Sequence, residues 1–190
     1  PFPKQRLITV KNLTCVFDGR TIFSDFSMEL KQGERVALKG GNGCGKSTLM
    51  KMLLGERSVR QGDITVASGL AISYVSQATS FLKGSLREFA RIHGLDETLL
   101  KTVICQLDVS RKQLEQPMEY YSEGQKKKVL LAKSLVEPSH LFVWDEPLNY
   151  IDIISRIQLE ELILRCQPTM LFVEHDQAFS QRIATRTILM

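Results

Sequence analysis

The sequence predicts an α/β fold: a mostly parallel core sheet, an antiparallel β subdomain and a small helical insertion. Three observations predict it. Residues 140–144 and 169–173 are short apolar runs, the pattern of strands buried on both faces. Segments of helical character lie between such strands, and that alternation is the mark of α/β architecture. The first thirty residues are β-rich and punctuated by turn residues.

The elements follow in order. Leu7-Ile8-Thr9-Val10 and Thr14-Cys15-Val16-Phe17 read as strand, and Asp18-Gly19 as a turn. Phe26, Met28 and Leu30 alternate with Ser27 and Glu29, the period of a half-buried strand, and Gln32-Gly33 closes it. Arg35–Lys39 is a strand that leads into a Gly-rich turn, and residues 47–54 have helical character. Residues 78–120 are rich in Leu, Glu and Lys without a strand pattern and read as the helical insertion. Helices are expected over about 124–136 and about 155–165. The run Thr187–Met190 resembles an unfinished strand, and the first residue is not Met. Both ends suggest a piece of a longer chain.

Composition narrows the function classes. At 190 residues the prior is one domain. With 43% hydrophobic and 24% charged residues the composition is that of a globular protein. A net charge of +4 permits a polyanionic partner without demanding one. No apolar run approaches the ~20 residues of a membrane span, and no secretory signal is visible at the start. Cysteines 15, 44, 105 and 166 have no metal spacing, so a reducing, cytoplasmic setting is expected.

Gly40-Gly41-Asn42-Gly43-Cys44-Gly45-Lys46-Ser47 fits G-x-x-x-x-G-K-[ST]. Glycines let successive backbone N–H groups turn inward around a phosphate, and the following helix presents its anion-binding N-terminus. Lys46 would reach the β- and γ-phosphates, and Ser47 would ligate Mg²⁺. Cys44 is expected to fill the loop. Asp145-Glu146 follows the apolar run at 141–144. An acid at the end of a buried strand costs free energy unless it serves a ligand or a partner. Asp145 would hold the metal opposite Ser47, and Glu146 would polarise the attacking water. Trp144 is expected to be core.

Tyr121-Ser122-Glu123-Gly124-Gln125 resembles the signature motif, usually written LSGGQ, of ATP-binding-cassette (ABC) proteins. Tyr121 departs from that pattern at its Leu, and Glu123 at its first Gly. Glu123 would then have to point away from a bound γ-phosphate. Gln77 falls where that family's Q-loop glutamine belongs, His175 where its switch histidine belongs, and residues 148–152 resemble its D-loop. Phe17 stands at the place of the aromatic that stacks on adenine. Residues 122–128 taken with 145–152 look like the ABC-F group. They are most similar to the second nucleotide-binding domain of its ribosome-protecting antibiotic-resistance members.

The resemblance implies a P-loop NTPase of the ABC type, spanning residues 1–190, excised from a tandem protein. It implies ATP and Mg²⁺ as ligands and slow hydrolysis by the isolated piece. Phe17, Gly41, Asn42, Gly43, Cys44, Gly45, Lys46, Ser47 and Thr48 would bind one nucleotide. Ser122, Gly124, Gln125 and Asp152 would serve the composite site formed with a second cassette, in the same parent chain or as a homodimer. Glu146, His175 and Gln77 would carry the catalysis, and Ser47, Gln77 and Asp145 the metal. The parent would bind the ribosome, without membrane insertion or a DNA partner. The competing reading is the ATPase subunit of a membrane transporter, with identical cassette chemistry. Lys126, Lys127 and Lys128 are expected to form a solvated helix face, opposite a core face of Val129, Leu130, Ala132 and Leu135. His93 and His140 are expected at the surface, and Asp176 as a helix cap.

Overall fold

The computed structural model describes residues 5–190. Two sheets organise it. Strands β1 (Arg6–Phe17), β2 (Arg20–Lys31) and β4 (Gln61–Val66) form an antiparallel sheet in the order β2-β1-β4. Strands β3 (Arg35–Lys39), β5 (Ile72–Val75), β6 (Leu141–Asp145), β7 (Met170–Val173) and β8 (Arg186–Leu189) form a parallel sheet in the order β5-β6-β7-β3-β8.

The parallel sheet is buried on both faces, and the alternation of its side chains decides what covers each. Val36, Leu38, Leu141, Val143, Leu171 and Val173 point to one face. There they meet α1 (Lys46–Leu53) and the inner side of the antiparallel sheet. Ala37, Trp144, Met170 and Phe172 point to the other face. They meet the helical side, which includes α2 (Leu86–Ile92), α3 (Glu97–Gln106), α5 (Glu123–Val136), α6 (Ile153–Cys166) and α7 (Gln177–Ile183). A short α4 (Arg111–Leu114) and a 3₁₀ turn (Met118–Tyr120) complete the insertion. Burying apolar surface at about 25 cal/mol per Å² is what holds three layers together.

Helix starts follow their caps. Ser85, Asp96, Ser110, Ser122, Asp152 and Asp176 each accept a hydrogen bond from the backbone N–H three residues on. Asp176 is thus the cap expected of it. Two strands with weaker patterns, β4 and β5, carry no signal in the sequence reading. β4 pairs with β1 and is mostly exposed, so it shows little apolar alternation. β5 is an edge strand of four residues.

One expectation is corrected. The lysines at 126–128 are not a solvated face: Lys127 is fully buried and Lys128 nearly so, while Lys126 pairs with Glu123. Loops on either side of α5 close over its first turns and offer oxygen partners to the ammonium groups. Lys127 Nζ donates to the Ser76 carbonyl at 2.8 Å, and Lys128 Nζ lies 2.8 Å from Asp152 Oδ2.

Candidate nucleotide site

Loops after β3, β5, β6 and β7 emerge at one end of the parallel sheet, its carboxyl end, where open α/β sheets place their ligands. They enclose a cleft of about 520 Å³ lined by Asn42, Gly43, Gly45, Lys46, Ser47, Thr48, Gln77, Glu146 and His175, with Ile22 of β2 as an apolar side. The phosphate loop thus shares a cleft with glutamine, glutamate and histidine that lie 30 to 130 residues downstream. The loop turns into α1 at Gly45, whose φ of +98° lies in the left-handed region. A Cβ there would also press on Ile22 and Phe23 side chains at 2.6 and 2.7 Å, so only glycine fits. Lys46 Nζ donates to the carbonyls of Gly40 and Gly41 at 2.9 Å each. The ammonium is held across the loop, ready to exchange carbonyls for phosphate oxygens. Cys44 Sγ lies 3.7 Å from the same ammonium and fills space beneath Gly40.

Asp145 is only 2% exposed and accepts a hydrogen bond from Gln77 Nε2 at 3.2 Å. The carboxylate, the glutamine amide and the Ser47 hydroxyl supply hard oxygen donors. That set suits Mg²⁺, which takes one or two protein oxygens and completes its shell with water and substrate phosphates. Glu146 has φ +51°, a left-handed conformation that costs a non-glycine residue of order 1 kcal/mol. Its N–H donates to the Val173 carbonyl at 2.9 Å, which fixes the turn against β7. Its two carboxylate oxygens are held apart. Oε2 accepts from Asn149 Nδ2 at 2.7 Å, and Oε1 lies 3.3 Å from His175 Nε2. These two contacts orient the carboxylate.

The sequence reading gave no role to Asn149 or to Glu174. Glu174 Oε1 accepts from the backbone N–H groups of His175 and Asp176, and Oε2 from that of Leu148 at 3.1 Å. It staples the loop after β7 to the loop after β6. Asn149 lies within the D-loop-like run 148–152 and Glu174 precedes His175, but only the fold shows which atoms they meet.

Ser122, Gly124 and Gln125 lie elsewhere, at the N-terminus of α5. Ser122 Oγ accepts from Gln125 N, and Gln125 Oε1 accepts from Ser122 N at 2.9 Å, a reciprocal capping box. A Cβ on Gly124 would meet the Tyr150 carbonyl at 2.5 Å, so residues 148–152 and the signature form one surface. Asp152 caps α6 and pairs with Lys128. Burial pushes its carboxyl up, but hydrogen bonds from Lys128 and Ser155 outweigh that and hold it well below the usual carboxylate range. Glu123 faces Thr79 Oγ1 and Lys126. Tyr121, in place of the usual Leu, is buried, its hydroxyl has no hydrogen-bond partner among the described residues, and burial pushes it up to about 12.

Phe17 is not among the residues lining the cleft. It ends β1 half-exposed, with the Arg57 guanidinium 5.0 Å from its ring centroid and a smaller pocket beside it. Arg57 was not singled out in the sequence. His140 is exposed and its Nδ1 accepts from Ala71 N; the exposed His93 ring lies tilted against Phe89, centroids 4.5 Å apart.

Comparison with known proteins agrees with this geometry. Residues 23–149 match the family model described as ABC transporter. The chain is 34% identical to the ATP-binding protein Uup of Caulobacter vibrioides over 97% of its own length and 32% of that protein's. It is 31% identical to ABC transporter F family member 2 of Arabidopsis thaliana over 96% of its length and 28% of that protein's. The chain therefore spans about a third of the length of the curated relatives it matches. A solved structure titled as the ATP binding subunit of an ABC transporter shares the fold. Its TM-score is 0.82 at 24% identity, over 97% of this chain and 85% of that one. Among the described residues no helix is long and apolar enough to cross a membrane. The family model covers more than half of the chain, and the chain belongs to the ABC ATPase family, whose members bind and hydrolyse ATP.

Proposed function

We propose that this chain is one cassette of an ABC-F ATPase that hydrolyses ATP between its own phosphate cleft and the signature surface of a second cassette. The observation that carries the reading is the shared cleft: Lys46, Ser47, Gln77, Glu146 and His175 line one cavity, with Asp145 hydrogen-bonded beneath Gln77. The relative named ABC transporter F family member 2, aligned over 96% of the chain, supports the finer assignment.

Backbone N–H groups of the phosphate loop and the Lys46 ammonium would bind the β- and γ-phosphates. Phe17 would stack on adenine. Ser47, Gln77 and Asp145 would hold Mg²⁺, which when bound neutralises charge building up on the transferring phosphoryl group. Glu146, oriented by Asn149 and His175, would accept a proton from the attacking water as its oxygen bonds to the γ-phosphorus and the bond to the β-phosphate oxygen breaks. His175 would donate to the γ-phosphate oxygens. The signature of the facing cassette would complete the phosphate's coordination here, and Ser122, Gly124 and Gln125 would do the same for the facing cassette's nucleotide, with Asp152 holding the adjoining loop. An apolar rim around the signature supports such a partner, since Tyr150 and Ile153 are 70% and 75% exposed. Because the γ-phosphate bridges both halves, ATP favours the closed pair and hydrolysis releases it. In the cytoplasm the parent protein would bind ribosomes in its ATP state and confer antibiotic resistance.

The test uses the parent protein with Glu146→Gln and the equivalent change in its other cassette. Hydrolysis should fall by about 10²–10⁴-fold while ATP binding persists. ATP-dependent sedimentation with ribosomes is the expected result. Association with membranes and not with ribosomes would overturn the ABC-F assignment in favour of a transporter subunit and leave the ATPase chemistry standing.

A further inference from the structure

Lys127 is the largest fully buried side chain after Trp144, and no step of the hydrolysis above uses it. Its Nζ donates to the carbonyl of Ser76, the residue before Gln77. Burial pushes the ammonium down, and the nearby Asp145, Glu174 and Glu146 carboxylates, which favour its charged form, offset only part of that, so it stands at about 8. A buried ammonium is expensive, and an apolar residue of like volume is often neutral or stabilising in its place. Packing therefore does not explain a lysine here.

The contacts on either side suggest what does. α5 begins at the signature Ser122, and Lys127 stands about one and a half turns along it. At the far end of α5, Ser134 Oγ lies 2.6 Å from Ser73 Oγ of β5 and accepts from Trp144 Nε1 at 2.8 Å. α5 is thus fastened to β5 at two levels. One bond is deep in the core and away from the cleft. The other is where β5 gives way to the Gln77 loop. The Ser76 hydroxyl turns back to the Ala78 carbonyl at 3.0 Å, and Gln77 is left to donate to Asp145.

We propose that Lys127 is a positioning residue that ties the signature helix to the Gln77 loop, so that engagement of Ser122 and the setting of Gln77 on Asp145 move as one unit. The proposal rests on the ATP-binding reading above. It assigns Lys127 no contact with nucleotide. Through Ser76 it holds the residue that links the metal-side carboxylate to the helical insertion.

The experiment compares Lys127→Met, which keeps volume and loses the donor, with Ser134→Ala, which removes the core fastening to Ser73 together with the Trp144 contact and leaves Lys127 and Ser76 untouched. A fluorescent ATP analogue is titrated into the chain in excess EDTA and again with Mg²⁺, and thermal unfolding is recorded for each variant. For Lys127→Met, affinity in EDTA should stay within about twofold of wild type, and the melting temperature should hold or rise. The gain in affinity on adding Mg²⁺ should shrink about five- to tenfold, the range for a residue acting through another. Ser134→Ala should melt earlier with the Mg²⁺ gain intact. A wild-type Mg²⁺ gain in Lys127→Met would overturn the proposal. So would an equal loss in EDTA and Mg²⁺ accompanied by early melting, since that is a packing defect. Failure of the wild-type chain to bind the analogue at all would instead overturn the ATP-binding reading and the proposal with it.

Discussion

The two halves of the candidate site are built in opposite ways. The phosphate half is concave and convergent. Loops from four parallel strands and the start of α1 meet in one cleft, and Lys46, Asp145 and Glu146 are each held by protein atoms. The signature half is an exposed helix end. Its serine and glutamine spend their local hydrogen bonds on each other, and its rim is apolar. The difference teaches where binding energy and switching each reside. A preformed cleft can hold a ligand alone. A helix N-terminus whose side chains are satisfied internally contributes little until a charged group is brought against its backbone N–H groups.

The sharpest way to break the comparison is at Lys46. Lys46→Ala removes a cation poised on two carbonyls, and the affinity for ATP should fall about 100-fold, in line with a lost charge-assisted hydrogen bond of about 1.5–3 kcal/mol. Isothermal calorimetry on wild type and variant measures it. An unchanged affinity would mean that the cleft binds through its backbone alone.

Gly124→Ala probes the other half. The added Cβ would sit 2.5 Å from the Tyr150 carbonyl, so either α5 or the 148–152 loop must shift. Overpacking of this kind costs about 1–3 kcal/mol. Urea unfolding should register that loss, while ATP affinity in the cleft should change by less than about twofold, because distant sites act additively. A drop in affinity as large as the drop in stability would show that the two halves are more tightly coupled than their separate construction implies.

These two residues also show how far the sequence alone carries. Lys46 was legible because its role follows from a fixed local spacing. So were the parallel strands, whose double burial leaves unbroken apolar runs. Gly124 was legible as a motif position, but the carbonyl that requires it comes from a loop 26 residues away. Lys127 and Lys128 were misread as a solvated face because charge in a helix signals exposure only while no acceptor covers it. The Ser76 carbonyl and Asp152 supply the acceptors from segments on either side. Arg57, whose guanidinium lies over the Phe17 ring, carries no sequence signal because the two residues stand 40 positions apart. What escaped the sequence is in each case a contact between segments far apart in the chain.

The smallest effect separates the two buried lysines of α5. Lys128 faces a carboxylate, whereas Lys127 faces a carbonyl, so only the former contact should weaken with acid. Asp152 sits below its unfolded value of about 3.9. Its contribution to stability is therefore fully present above about pH 4 and is lost as pH falls through the lowered folded value. The carboxylate is about half exposed, so screening limits the contribution to about 1 kcal/mol or less. Asp152→Asn keeps a good helix cap and removes the charge. Wild type should exceed the variant in urea unfolding at pH 7, and the gap should narrow between pH 4 and pH 2. A gap that persists at pH 2 would assign the stabilisation to cap geometry and not to the ion pair, and the first turn of α5 would then be held to its neighbours by hydrogen-bond geometry at both lysines.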